Sequence, residues 1–461
     1  MTESIAVAAT SERVRESVAE GLRQLTKVAL AGVIVLSPFR ARMVLEHRHV
    51  GTIYGDYTNL IVFWSDIALV GLLALWAASL ATQPRRVWLG PNLVRWPVAT
   101  LLAFVWLSVP LSTDATVSVY DALRLTAAAG LALYAANEVE SLGELVPALI
   151  VAIMVQAVIG VGQVLDQADW GLKRFGEYHL NPNDNGVSIV WTADSPRLLR
   201  AYGLTDHPNI LGGLMAIAAI LLGAAMLQLR PMWWTLCGAV FAIGATALFL
   251  TFSRAAEVAF AGGLLCVFAL LALRRDWSRA TLWAGTCVAA VIIAGVFVKP
   301  YWPYLTARLN PEAQQAGSPE QRSLSERGAL AKNTNTIFVN HPITGVGFGA
   351  LPQAMRDEFP DFGYNFQPAH FALLVAAAET GLVGAMAYGA LLVSPWVLLW
   401  FRRRRLTPEI IGVSGALLAV GLIGLFDYYP WSLAPGQVWA WLVLGLWVAA
   451  YGRMTGQGRR A

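Results

Sequence analysis

Residues able to do polar chemistry are sparse in this chain, and three clusters concentrate them. The first is "RAYGLTDHPN", residues 200–209, which supplies Arg200, His207 and Asn209. A helix beginning near Asn209 would turn free backbone N–H groups and its positive dipole end outward, a place suited to an anion; the alternative is an ordinary cap, with Pro208 and Asn209 simply starting the helix. The second is "TFSRAAE", residues 251–257, where Arg254 needs a partner, either Glu257 one turn on or an anionic ligand group. The third spans 325–352 and 367–381 and supplies Arg327, His341 and His370. Residues 325–339 suit an outer-surface helix. His341, Pro342 and the glycines at 345, 347 and 349 read as a loop that approaches something closely, with His341 as a turn residue.

His370 and Glu379 share an apolar run. Nine residues at about 100° each put them on opposite faces of one helix, so they cannot form a simple acid/base dyad. A short helix from about 370 to 380, ending at Thr380 and Gly381, places His370 at its outer mouth and Glu379 deeper, in a structural role with an arginine or backbone partner.

These residues sit in a chain that is 57% hydrophobic and 13% charged, with mean hydropathy +0.55. That composition belongs to a membrane protein. Apolar runs able to cross roughly 30 Å of hydrocarbon recur throughout. Twelve spans are expected, at 25–39, 59–81, 93–112, 119–137, 144–164, 209–228, 232–252, 255–274, 280–298, 381–401, 408–427 and 434–452. The fold class is therefore all-α and polytopic, one membrane domain over 25–452. Residues 1–24, with Val14, Val18, Leu22 and Leu25 at helical spacing, read as a cytoplasmic amphipathic segment rather than a secretory signal.

Arg85, Arg86, Arg230, Arg274, Arg275, Arg279 and Arg402 to Arg405 fall in short loops on one side, which the positive-inside rule assigns to the cytoplasm. Both termini are then cytoplasmic, in keeping with a basic tail over 453–461 that carries Arg453, Arg459 and Arg460. The polar loops 165–208 and 299–369 face outside, and chemistry on an extracytoplasmic substrate belongs there. Arg124 and Asp121 lie one turn apart near the outer end of the fourth span, as a mutual pair or a further anion contact. Cys237, Cys266 and Cys287 lie inside spans without a CxxC or ligand spacing, and read as packing residues. Neither a P-loop nor an internal repeat is present, and nothing supports nucleic-acid binding.

In order and topology these motifs resemble the O-antigen ligase and polymerase-like group of membrane glycosyltransferases, over most of the chain. The resemblance rests on "RAYGLTDHPNILGG" after the first long outer loop and on the Ser253–Arg254 pair. It rests also on Glu326–Arg327, His341–Pro342, Gly345, Gly347 and Gly349, and on a histidine-led helix from His370 ending in Glu379 and Gly381. Phe371 departs from it, because the group usually has asparagine there, so a polar contact beside the histidine is in doubt.

The resemblance implies a glycosyltransferase C-like layout whose long outer loop carries short helices. It implies transfer of a glycan from undecaprenyl diphosphate to a lipid, glycan or protein acceptor on the outer face of the cytoplasmic membrane. Arg200, Arg254 and Arg327 would then bind the diphosphate, with Arg124, His207 and Asn209 as further candidates, and His370 would be the base. No DxD stands in an outer loop, Asp166 and Asp169 being a weak substitute, so metal and cofactor independence is expected, and a single displacement would invert the anomeric carbon. A polymerase of lipid-linked repeats needs the same chemistry. A flippase or transporter would line its centre with charge, whereas intramembrane charges here are few, chiefly Asp66, Arg124 and Glu379. A non-catalytic assembly protein would keep its function on loss of His370.

Overall fold

A computed structural model describes residues 2–192, 195–309 and 319–457; Arg459 and Arg460 of the expected basic tail lie outside the described residues. The chain runs through α1 (Thr2–Leu36), the hairpin β1 (Arg42–Glu46) and β2 (Leu60–Phe63), α2 (Trp64–Thr82), α3 (Asn92–Ser108), α4 (Ala115–Glu138) and α5 (Val146–Asp166). A second hairpin, β3 (Ile189–Thr192) and β4 (Ser195–Leu199), precedes α6 (Pro208–Met226), α7 (Trp234–Leu250), α8 (Arg254–Leu273) and α9 (Trp277–Val298). Then follow α10 (Trp302–Leu309), α11 (Pro319–Asn340), α12 (Leu351–Glu358), α13 (Ala372–Arg402), α14 (Pro408–Phe426), α15 (Tyr429–Ser432) and α16 (Ala434–Thr455).

Each of the twelve expected spans falls on a helix. Among the described residues nine helical stretches are long and apolar enough to cross a membrane. The helices α1, α4 and α16 hold the other three expected spans and stand outside that set. The protein is an all-α polytopic membrane protein. Its amphipathic start and first expected span run together as one helix, α1.

Sequence explains which helices lie inside. The central helix α6 is apolar around its whole circumference and buried at every position, packed by α5, α7, α8 and α14. On α9, by contrast, Val288, Val291, Ile292, Val296 and Phe297 are exposed, an apolar surface that suits lipid.

Contacts separate the bundle into two ends. At one, Arg85 bonds Glu138 at 2.6 Å, Arg453 bonds Glu409 at 2.7 Å and the Val139 carbonyl at 2.6 Å, and Arg279 bonds the Leu227 carbonyl at 3.2 Å. At the other, three loops meet. Two are the expected polar loops, and the third is residues 37–63, where Arg40 and Arg42 reach Asp206 and Arg48 pairs with Asp114 at 2.9 Å.

The break in α13 fixes that end. Gly381 has φ 72° and ψ −177°, so residues 372–380 form a short helix before the long one, as the sequence predicts. The interruption leaves carbonyls without helical partners. Val346 N–H donates to the Ala378 carbonyl at 2.9 Å, Gly347 N–H to Glu379 at 3.1 Å, and Leu382 N–H to Pro342 at 2.8 Å. The close approach expected of the glycine loop is made here: a Cβ on Gly345, Gly347 or Gly349 would strike Glu379, Ser112 or Asp121.

Replacing Gly381 by alanine should therefore lower stability by about 1–3 kcal/mol from backbone strain alone, with more from collision with the Ile343 carbonyl. Gly421→Ala, at a helical site with open space, serves as the control. Thermal unfolding in detergent reads both, and an unshifted Gly381→Ala melt would contradict this account of the break.

Candidate active site

The turn between α7 and α8 is the first wall. Phe252 takes φ 50°, an uncommon conformation for a bulky residue, and Ser253 caps α8 through the Ala256 N–H at 3.4 Å. This tight turn aims main-chain carbonyls at Arg200, which is 4% exposed. Arg200 donates from Nε to Thr251 O at 2.6 Å, from Nη1 to Ser188 Oγ at 2.7 Å, and from Nη2 to Asn209 Oδ1 at 2.7 Å.

Asn209 passes the interaction on. Its Nδ2 donates to Asp427 Oδ2 at 3.1 Å, while Asp427 Oδ1 accepts the Tyr428 N–H at 2.9 Å and stands 3.4 Å from His370 Nδ1. At that distance the His370 contact is an ion-pair approach rather than an aligned hydrogen bond, and Nδ1 has no other partner among the described residues. A line of polar contacts thus runs from Arg200 through Asn209 and Asp427 to His370.

Burial alone would push the Asp427 carboxyl up, but His370, with Arg327 behind it, holds it down to about 2. The anion therefore persists at neutral pH. On the other side of His370, the Tyr428 ring meets it edge-on with centroids 5.1 Å apart. The Tyr428 hydroxyl bonds Tyr57 at 2.6 Å and donates to Gln367 Oε1 at 3.4 Å, and Gln367 Nε2 donates to Glu326 at 3.0 Å. This ties α11 to the start of α13 and holds Arg327 near Asp427. The Arg327 Nε is buried without a hydrogen-bond partner among the described residues.

Arg254 is half-buried at the start of α8 and donates to the Arg308 carbonyl at 3.0 Å, with Glu257 in the electrostatic range of Arg308, Arg200 and Arg254. Arg200, His207, Asn209, Arg327 and His370 thus converge, and Arg254 adjoins them through Glu257 and the turn at 251–253.

Arg124 is placed elsewhere. Its nearest carboxylate is Asp66 at 3.1 Å, and Asp121, the partner favoured by spacing, is at 3.9 Å. The β2 to α2 junction brings Asp66 closer than the helix's own turn can. His341 is a surface turn residue, 3.2 Å from Glu358. Glu379, 1% exposed, accepts the Trp431 indole N–H at 2.7 Å rather than an arginine. Among the described residues no three His, Cys, Asp or Glu side chains gather in a way that could hold a metal ion.

Sequence reasoning missed Asp427, Tyr428 and Tyr57. A carboxylate closing an apolar span, followed by "YYPW", was the available signal for the first two. Tyr57 lies in a short loop between the first two spans that composition does not distinguish.

Two stability tests follow. Asn209→Ala should cost about 1–3 kcal/mol by leaving buried partners unsatisfied. Because the Asp427 carboxyl is held below its ordinary value, its contribution is full above about pH 4 and fades as pH falls toward about 2. Acid denaturation of Asp427→Asn should lack that component; identical acid curves would contradict the charge assignment.

No curated protein matches the chain. The residues Arg200, Asn209 and Asp427 lie outside the stretch 238–389 that matches a family. Residues 238–389, which carry Arg254, Arg327, the glycine loop and His370, match the family described as O-antigen ligase, and there the resemblance to the O-antigen ligase and polymerase-like group holds.

Proposed function

We propose that the chain transfers a glycan from undecaprenyl diphosphate to an acceptor hydroxyl at the extracytoplasmic face of the inner membrane. The observation that carries this reading is a histidine set against a buried carboxylate, with Arg327 beside it and Arg254 adjoining at the start of α8, at the bundle end opposite the arginine-rich loops. Arginine-rich short loops stay in the cytoplasm, so this site faces outward and both termini inward.

In the reaction, His370 Nε2 takes the proton of the acceptor hydroxyl while its Nδ1 edge faces Asp427. The acceptor oxygen attacks the anomeric carbon, and the bond from that carbon to the diphosphate oxygen breaks. Lipid diphosphate leaves with the electron pair, and a single displacement inverts the centre. Negative charge grows on the leaving oxygen, where Arg254 and Arg327 offset it. Arg200, committed to Thr251, Ser188 and Asn209, adds positive potential from behind and sets the Asp427 carboxylate. The guanidinium stays charged at any working pH and forks to two oxygens, which suits it to a diphosphate without a metal ion. A ligase and a polymerase differ in acceptor, a finished lipid or protein in one case and another lipid-linked repeat in the other, and both fit this chemistry.

Purified protein given a lipid-diphosphate glycan and a panel of acceptors in EDTA should turn over. His370→Ala should reduce transfer by roughly 10²–10⁴-fold with donor binding kept, and Arg254→Ala or Arg327→Ala should weaken donor binding as well. Full activity in His370→Ala, or dependence on added divalent metal, would overturn the mechanism. Absence of transfer by wild type to every acceptor would overturn the function.

A further inference from the structure

Two histidines face this site, and their Nδ1 atoms have opposite partners. In His370 it faces the Asp427 carboxylate at 3.4 Å. In His207, the N-cap of α6, it accepts the Asn209 backbone N–H at 3.1 Å. A ring nitrogen that accepts a hydrogen bond carries no proton, so neutral His207 bears its hydrogen on Nε2. The orientation is held further by the Tyr202 ring, edge-on with centroids 6.3 Å apart. His207 is half-buried, and its one side-chain hydrogen bond among the described residues is the one at Nδ1.

Charge around the ring agrees with a neutral state. Arg200 precedes α6, His370 precedes α13 and Arg327 comes from α11, all positive or able to become so, against one carboxylate, Asp427, after α14. Burial first, and then Arg200, hold the His207 imidazole down to about 3, despite the opposing pull of Asp427. Neighbouring titratable groups driven apart in this way take different chemical roles.

We propose that His207 is a fixed, neutral hydrogen-bond donor whose Nε2–H meets an anionic oxygen of the substrate. Resting on the function proposed above, that oxygen belongs to the diphosphate of the lipid carrier. The residue serves as cap and donor together and is not a second base. A charged ring there would give up its Nδ1 acceptor and uncap α6, whereas the neutral ring keeps both contacts.

Histidine-specific ¹⁵N NMR of the full chain reads the tautomer without any ligand. The chain has six histidines, so the His207 signal is found by its loss in His207→Asn. Its Nδ1 should stay unprotonated and Nε2 protonated from about pH 8 to pH 5, the range over which an ordinary histidine titrates; charging of the ring in that range, or a proton on Nδ1, would overturn the proposal. Undecaprenyl diphosphate and inorganic diphosphate are then titrated onto three proteins. His207→Ser keeps a capping oxygen, but its short hydroxyl does not extend to the position of Nε2, and it should weaken both about tenfold, the effect of one hydrogen bond to a charged oxygen. His207→Asn, with capping oxygen and N–H donor, should recover part of the loss. Unchanged binding in His207→Ser would overturn the role. Weakening of the lipid form alone would overturn the diphosphate contact. Wild-type protein that binds neither diphosphate would sink the proposed function and this ligand together, while the tautomer result stands apart from it.

Discussion

A carboxylate enclosed at the end of an apolar bundle must be compensated by protein, and Asp427, 4% exposed, is that carboxylate here. Its compensation comes from Asn209 on α6, the Tyr428 backbone, His370 before α13 and the field of Arg327 on α11. Asn209 is in turn held by Arg200, and Arg200 by the carbonyls of the α7 to α8 turn. Five separated parts of the chain therefore meet because one buried charge needs partners. The same need that assembles the end of the bundle leaves a histidine beside a permanent anion.

The broken helix α13 performs the complementary task. Nine residues of helix between His370 and Gly381 span roughly 13 Å at 1.5 Å each, with His370 at one end and Glu379 at the other. Glu379 anchors Trp431 at 2.7 Å, and Trp431 lies in the short α15 that directly follows Asp427 and Tyr428. The far end of the short helix thus braces the segment carrying Asp427. The glycine loop 345–349 closes the same joint by taking up the carbonyls that the break exposes, a fit that side chains at those glycines would prevent.

Much of this was legible in the sequence because bilayer chemistry is restrictive. Apolar runs must be helices, Gly381 after Thr380 marks a helix end, and arginines near apolar segments need anions. What stayed hidden was pairing between distant segments. Asp427 reads locally as the last residue of a span, and only the fold puts it against His370. Arg124 has a tempting partner one turn away in Asp121, but the entry of α2 brings Asp66 nearer. Likewise the residue-57 loop gains its role from the Tyr57 to Tyr428 contact at 2.6 Å, which joins positions 371 apart in sequence.

The central claim is that Asp427 works through His370, and a double-mutant cycle tests it most directly. Transfer kcat/KM is measured for wild type, His370→Ala, Asp427→Asn and the double variant. If the carboxylate acts through the base, the double variant loses no more than His370→Ala alone, since groups that act as a unit are strongly non-additive. Losses that multiply, each variant contributing its full factor in the presence of the other, would contradict the account and separate the two residues.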